Sequence, residues 1–277
     1  QDTFYQPKVS AKFFNSKVTF DVKLSFTTEQ VKESFSNVNE LNGFISMLET
    51  GVKNSMTVKL DGLIMRTINN MTGQILNSAN GLQKVNLLTE YNTASGQTLT
   101  ANKALMDKDF LKFASLTIKK YQARITKMST LFNAGGKARF TTTDNLHTVL
   151  LSDFADSAEV YLLSDTYHND TVSLPNHETV PYWQGSGKSY AFNDISKIDV
   201  KIDAGNKTAK QVTQTGILGV MFDTNALGVS NLNQRTTTSY NARAEFYTNY
   251  YKMDAGYFND LNENFVVFYI ADTTPAK

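Results

Sequence analysis

Apolar and polar residues alternate with a period of two near the start of the chain. With Asn15-Ser16 placed at a turn, Phe13 faces Val18, Ala11 faces Phe20 and Val9 faces Val22. On the other face Lys12 meets Thr19, Ser10 meets Asp21 and Lys8 meets Lys23. One apolar and one polar face is what a strand pair requires, so residues 7–24 are expected to form a β-hairpin. Asn-Ser is a weaker turn former than Asn-Gly, and a lone hairpin is marginally stable in water. Its apolar face therefore calls for a partner, in its own domain or on another subunit.

The period then lengthens. Leu41, Ile45, Leu48, Val52, Met56, Leu60, Ile64, Ile68, Met71 and Ile75 recur at steps of three and four. They trace one stripe of a single helix over residues 38–78. Asn37 and Glu40 suit a capping box at its start, and Gly81 suits its end. At a rise of 1.5 Å per residue such a helix is about 60 Å long, more than the width of a small domain. Gly43, Gly51, Gly62 and Gly73 interrupt it. They allow bends or close packing, and a break near Gly62 would give two shorter helices instead.

From Lys84 the texture changes. Asn92–Thr100 reads as a loop of small residues. A second helix is expected over Phe110–Phe132, with Leu111, Ala114, Ile118, Tyr121, Ile125 and Met128 on one side and Gly135-Gly136 beyond it. Residues 145–151 suit a buried strand, and Ser152 or Asp153 can cap a helix through Leu163. Residues 164–190 carry few helix signals and include Pro175, Pro181 and the only tryptophan, Trp183. Ile195–Ile202 alternates as a strand with one slip. Gly216–Phe222 suits a buried strand and Asp223–Leu227 a helical turn. Ala244–Phe258 is a long aromatic strand, and Phe265–Ile270 a wholly apolar one. Strands and helices mix without a βαβ rhythm, which makes the class α+β.

Composition narrows the picture. At 277 residues and 41% hydrophobic, the chain can fill one large core or two modest ones. Charged residues make up 19%, below the roughly 25% of an average soluble protein. Asn, Thr and Ser supply the polarity instead, which makes surface cheaper to desolvate against a neighbour. The net charge of +1 offers no global field to hold nucleic acid. Without cysteine there is neither a disulfide framework nor thiolate chemistry. No segment approaches the roughly 18 apolar residues of a membrane span, and no basic-then-apolar leader opens the chain. A start at Gln1 implies processing, an engineered start or an omitted segment.

Candidate chemistry is thin. Gly185-Ser186-Gly187-Lys188-Ser189 looks like the end of a phosphate-binding loop, the basis for an alternative reading as a hydrolase or NTPase. That loop needs a glycine where Tyr182 stands, a buried strand before it and a helix after it. Pro181-Tyr182-Trp183-Gln184 and the β-like Tyr190-Ala191-Phe192 supply neither, so a surface turn is expected. The three histidines, His147, His168 and His177, match no metal-ligand spacing, even with Asp170 and Glu178 nearby. Asp199, Asp203 and the other carboxylates form no acid–base pair. Tyr247, Tyr250, Tyr251 and Tyr257 could stack nucleobases, but Arg243 and Lys252 are their only basic neighbours; core and subunit contact is the expectation.

The order of elements, with several stretches, carries a resemblance. These are Phe35-Ser36 leading to Gly51-Val52-Lys53-Asn54-Ser55-Met56, Leu151-Ser152-Asp153-Phe154-Ala155, and Tyr182 to Gly187. Gly216 to Asp223 and Glu245-Phe246-Tyr247-Thr248-Asn249-Tyr250-Tyr251 complete the set. Together they resemble the major capsid proteins of tailed phages, which share the Hong Kong 97-type fold with encapsulins. The resemblance implies a capsid fold with an E-loop hairpin, a long spine helix, and peripheral and axial domains. Residues 1–36 would be the hairpin and its lead-in. Residues 37–83 with 232–260 would form the peripheral domain, and 84–231 with 261–277 the axial domain. Val9, Ala11, Phe13, Val18, Phe20 and Val22 would contact a neighbouring subunit, and Leu41, Ile45, Leu48, Val52, Ile64 and Ile68 would mark the spine helix. The family usually carries an arm before the hairpin, of which little is present here. Some members crosslink Lys to Asn; Lys12 and Lys17 lie in the hairpin, but nothing in the sequence supports a crosslink.

The implied function is a major capsid protein that assembles through pentamers and hexamers into an icosahedral shell around the phage genome. It would have no catalytic residue, cofactor or metal. Its partners would be copies of itself, portal and scaffold proteins of the same phage, and enclosed double-stranded DNA bound without sequence preference, with no membrane. It would be assembled in the host cytoplasm and located in the virion. The rival readings are an encapsulin-type compartment enclosing protein cargo, the hydrolase on Gly185–Ser189, and, more weakly, a host-surface adhesin. Deleting residues 9–22 is expected to abolish shells and leave soluble protein.

Overall fold

A computed structural model of the chain describes residues 12–33, 38–79, 82–164, 174–185, 188–202 and 209–272. The chain divides into two compact units, residues 1–61 with 229–258, and residues 62–228 with 259–277. The long helix contributes to both, and the division falls at Asp61/Gly62.

In the first unit, strand β1 (Lys17–Thr27) leads into the short helix α1 (Thr28–Glu33), followed by α2 (Val38–Asn77). Strands β8 (Leu227–Asn241) and β9 (Phe246–Asn259) form a hairpin and complete a three-stranded sheet ordered β1-β9-β8. The ladder between β1 and β9 is antiparallel and eleven residues long, from Lys17↔Gly256 to Thr27↔Phe246. This corrects the predicted hairpin over its described residues. β1 pairs with a strand roughly 230 residues further along the chain, and Lys12–Ser16 form no strand, so Phe13 does not face Val18. Val9 and Ala11 lie outside the described residues.

The second unit holds a five-stranded mixed sheet. Its order is β2 (Lys84–Asn86), β10 (Phe265–Tyr269), β7 (Ile217–Asp223), β3 (Leu146–Leu151) and β4 (Glu178–Val180). β7 is buried along its whole length, as an apolar central strand must be. Helices α3 (Leu87–Ser95), α4 (Ala101–Ala104), α5 (Lys108–Ile125) and α6 (Ser152–Ser164) belong to this unit. So do the one-turn helix α7 (Phe192–Ile195) and the hairpin of β5 (Ile198–Ile202) with β6 (Lys210–Gln214). Asn86 caps α3 and Asp107 caps α5, each side-chain oxygen accepting a backbone N–H three residues on.

Phe110, Ile118, Phe154, Trp183, Val267 and Phe268 form the buried centre, joined by Ile68, Met71 and Ile75 of α2. Trp183 ties three segments together. Its ring N–H donates to the Ile217 carbonyl at 2.9 Å and its backbone N–H to that of Ile195 at 3.0 Å. Its own carbonyl accepts from the Asn69 amide at 2.6 Å. Gly216 takes φ of +76°, and a Cβ there would meet the Ile270 carbonyl oxygen at 2.1 Å, so glycine is required.

Other expectations shift by a few residues. α5 stops at Ile125 rather than Phe132; Met128 is 70% exposed in the turns beyond it. Ile195 ends α7 instead of opening a strand, which accounts for the slip in alternation. Asn92–Ser95 belong to α3, not to a loop. The expected helical turn at Asp223–Leu227 is a non-helical turn over 224–226, from which the chain enters β8.

Candidate assembly surfaces

β1 alternates between exposed and half-buried side chains along its length. By its register with β9, Val18, Phe20, Val22, Leu24 and Phe26 share a face with Ala255, Met253, Tyr251, Asn249 and Tyr247. Leu24 and Phe26 line a 260 Å³ cavity with Phe44, Ile45 and Leu48 of α2. Val52, Met56 and Leu60 of α2 line a 510 Å³ cavity with Tyr251, Met253 and Gln234. The sheet and the first half of α2 thus face each other across open space rather than a sealed core. Among the described residues of this unit, the buried side chains are Val52, Thr248, Met253 and Ala255.

Large apolar groups are left in water. Phe13 is 90% exposed, Val58 71% and Met47 62%. Phe14 is tethered, its ring 5.0 Å from that of Phe258. The predicted helix stripe is therefore only partly a core stripe. Val52 and Ile68 are buried, Leu48 is half-buried, and Ile45 and Ile64 are exposed. Further along, Leu63 is buried in place of Ile64, because each step of four overshoots a full turn by about 40°, and three such steps carry Ile64 about 120° from the side of Val52.

The opposite face of the sheet is polar. Asp254 accepts from Thr19 at 2.5 Å and pairs with Arg235 of β8. The Arg235 hydrogen bond, then that of Thr19, holds the Asp254 carboxyl below the usual carboxylate range. Lys23 and Lys252 flank the Tyr250 ring at 5.7 and 5.8 Å. On the apolar face Tyr247 stacks on Phe26 and lies 4.6 Å from Tyr240, and both tyrosines remain exposed. Sequence reasoning missed this cluster, because only the ladder to β9 brings Thr19 to Asp254.

The remaining chemical candidates come apart. Ser189 donates to Asp194 at 2.6 Å, Lys188 and Ser189 are exposed, and only a one-turn helix follows. Ser186 and Gly187 lie outside the described residues. His147 is exposed, its ring 5.8 Å from that of Phe222. His177 Nδ1 lies 2.7 Å from the Pro175 carbonyl, and His168 lies outside the described residues. Among the described residues no group of three His, Asp or Glu could hold a metal. No described helix is long and apolar enough to cross a membrane. In the second unit Glu263 contacts Arg139 at 3.1 Å. Burial, and the neighbouring Asp223 and Asp260 charges, push its carboxyl up against the opposing pull of Arg139.

Among the described residues, apolar groups and sheet edges are offered to solvent, as contact between subunits would require. Comparison with known proteins gives the family. The family model of the Phi29-like phage major capsid protein matches residues 1–269, and the chain belongs to that family. Among curated proteins none matches. Two solved structures share the fold. One is the capsid structure of Staphylococcus phage Andhra, at 11% identity and a TM-score of 0.55, covering 92% of this chain and 71% of that one. The other is a chain in the structure of head fiber and inner core protein gp22 of native bacteriophage P68. It gives 9% identity, a TM-score of 0.51 and coverage of 93% and 72%. The fold is the Hong Kong 97-type α+β capsid fold, and the protein is a self-assembling capsid subunit of the virion.

Proposed function

We propose that the chain builds an icosahedral shell of pentamers and hexamers around double-stranded DNA, and that the segment before β1 lies on a neighbouring subunit. The first unit then serves as hairpin and peripheral region and the second as axial region. Scaffold and portal proteins of the same phage are the further partners, and assembly takes place in the host cytoplasm. The subunit does this without an active site, consistent with Tyr182 at the required glycine position and with the Ser189 hydroxyl spent on Asp194.

The observation that carries this reading is Phe13. A phenylalanine 90% exposed on a segment without secondary structure keeps most of its apolar area in water. Burying it against another copy would stabilise the contact by about 1.5–3 kcal/mol. Many such weak contacts, repeated around a closed shell, sum to a stable lattice.

The ladder with β9 also decides how to test it. Removing residues 9–22 would cut away half of β1 and damage the sheet itself. Removing residues 1–15 leaves the ladder, and the Tyr257 N–H bond to the Ser16 carbonyl, in place. That truncation, and Phe13→Asp in the full chain, are expected to give folded subunits that form no closed shells in electron micrographs. Shells of normal number and size from both variants would overturn the proposed role of this segment.

A further inference from the structure

Among the described residues, the sheet of the first unit ends in two open edges, β1 and β8. Exposed edges template pairing with other chains, and proteins guard them with charges, prolines or bulges. β1 carries such guards, with Lys17, Asp21 and Lys23 spaced along it. β8 does not. From Ser230 to Asn241 every residue is exposed, over about 40 Å of strand. This stretch contains no proline and no lysine, and its single charge, Arg235, is held across the sheet by Asp254.

We infer that the free edge of β8 pairs antiparallel with the same edge of a second copy, forming a six-stranded sheet across two subunits. The inference rests on the shell-forming function, which places identical copies side by side. The chemistry of the strand selects the same edge as the partner. Antiparallel pairing centred on Thr237 sets Thr236 against Thr238, Gln234 against Tyr240 and Asn233 against Asn241. Arg235 then meets Ser239, so no like charges oppose each other. Threonine pairs across strands are favourable, and a neutral polar edge costs little to desolvate. Such a contact is isologous and closes on itself, so it joins subunits two by two rather than around a ring.

The absence of cysteine from the chain supplies a direct test. Thr236→Cys, Thr237→Cys and Thr238→Cys, each alone in the full chain, place a single thiol on the edge. Assembled particles are treated with a mild oxidant, which takes two electrons and two protons from a facing thiol pair to leave one disulfide. A disulfide needs Cα atoms within about 7 Å. At least one of the three variants is expected to run as a covalent dimer on a non-reducing gel when taken from particles, and as a monomer when dissociated before oxidation. Monomer from intact particles of all three variants would overturn the pairing, while the particles themselves would leave the shell function standing.

Discussion

Glu263 shows how little a single charge gains inside the second unit. Arg139 is in contact with it, yet burial and the charges of Asp223 and Asp260 outweigh that partner and raise its pKa. The folded protein therefore holds the Glu263 proton more tightly than the unfolded chain does. Ionisation costs stability as pH rises from the unfolded value, about 4.3, through the raised folded value. Glu263→Gln removes that cost and also removes the Arg139 ion pair, and the net direction of the shift says the first effect is larger. The variant is expected to match the parent in thermal unfolding near pH 4 and to exceed it modestly at pH 7. A variant less stable than the parent at pH 7 would contradict this balance. Trp183 illustrates the opposite case, a buried polar tip that is fully used. Its ring N–H has a carbonyl partner in the core, and its backbone joins α2 to the segment before β5.

At the scale of elements, α2 contains two kinds of glycine. A Cβ at Gly43, Gly51 or Gly62 would touch nothing within 4 Å, whereas one at Gly73 would meet Val200 Cγ2 at 2.4 Å. Gly51→Ala should therefore stabilise the subunit by about 0.5–1 kcal/mol through helix propensity. Gly73→Ala should destabilise it by about 1–3 kcal/mol through overpacking. Urea denaturation of both variants checks the pair, and equal shifts of one sign would contradict the packing described here. The same contrast shows what the sequence made legible. Elements that bury an apolar face or are apolar throughout were readable: α2, α6, β3, β7, β9 and β10. β8 was not, because both of its faces are polar and exposed and no period marks it. α3 was hidden by its neutral polar second half, Asn92 to Ser95. Met128 extended the apparent stripe of α5 past its true end, since periodicity continues through a turn without regard to where the backbone bends. The first hairpin was misassigned for a different reason. The alternation of Val18, Phe20 and Val22 was read correctly, but alternation does not name the partner strand: β1 pairs with β9, and the described part of the local candidate, residues 12–16, forms no strand. Among candidate contact residues, the exposure of Phe13 was not deducible, because it follows from the absence of a strand at residues 12–16.

Over the whole molecule, the two units differ in how complete they are. The second buries a continuous aromatic and aliphatic core around its five-stranded sheet. The first, among its described residues, leaves cavities of 510 and 260 Å³ between helix and sheet, two open edges, and Phe13, Met47 and Val58 in water. A unit built in this way lowers its free energy by contact with other chains. Membership of the Phi29-like major capsid family identifies those chains as further copies. The low charge of the sequence fits the same economy, since 19% charged residues leave fewer ions to desolvate at each contact. The most direct test is electron microscopy of the purified full chain, with its mass measured by light scattering over a range of concentrations. Assembly is expected, as closed particles or rings of five and six copies that grow at the expense of subunit as concentration rises. A single species of 30.9 kDa at every concentration would contradict it.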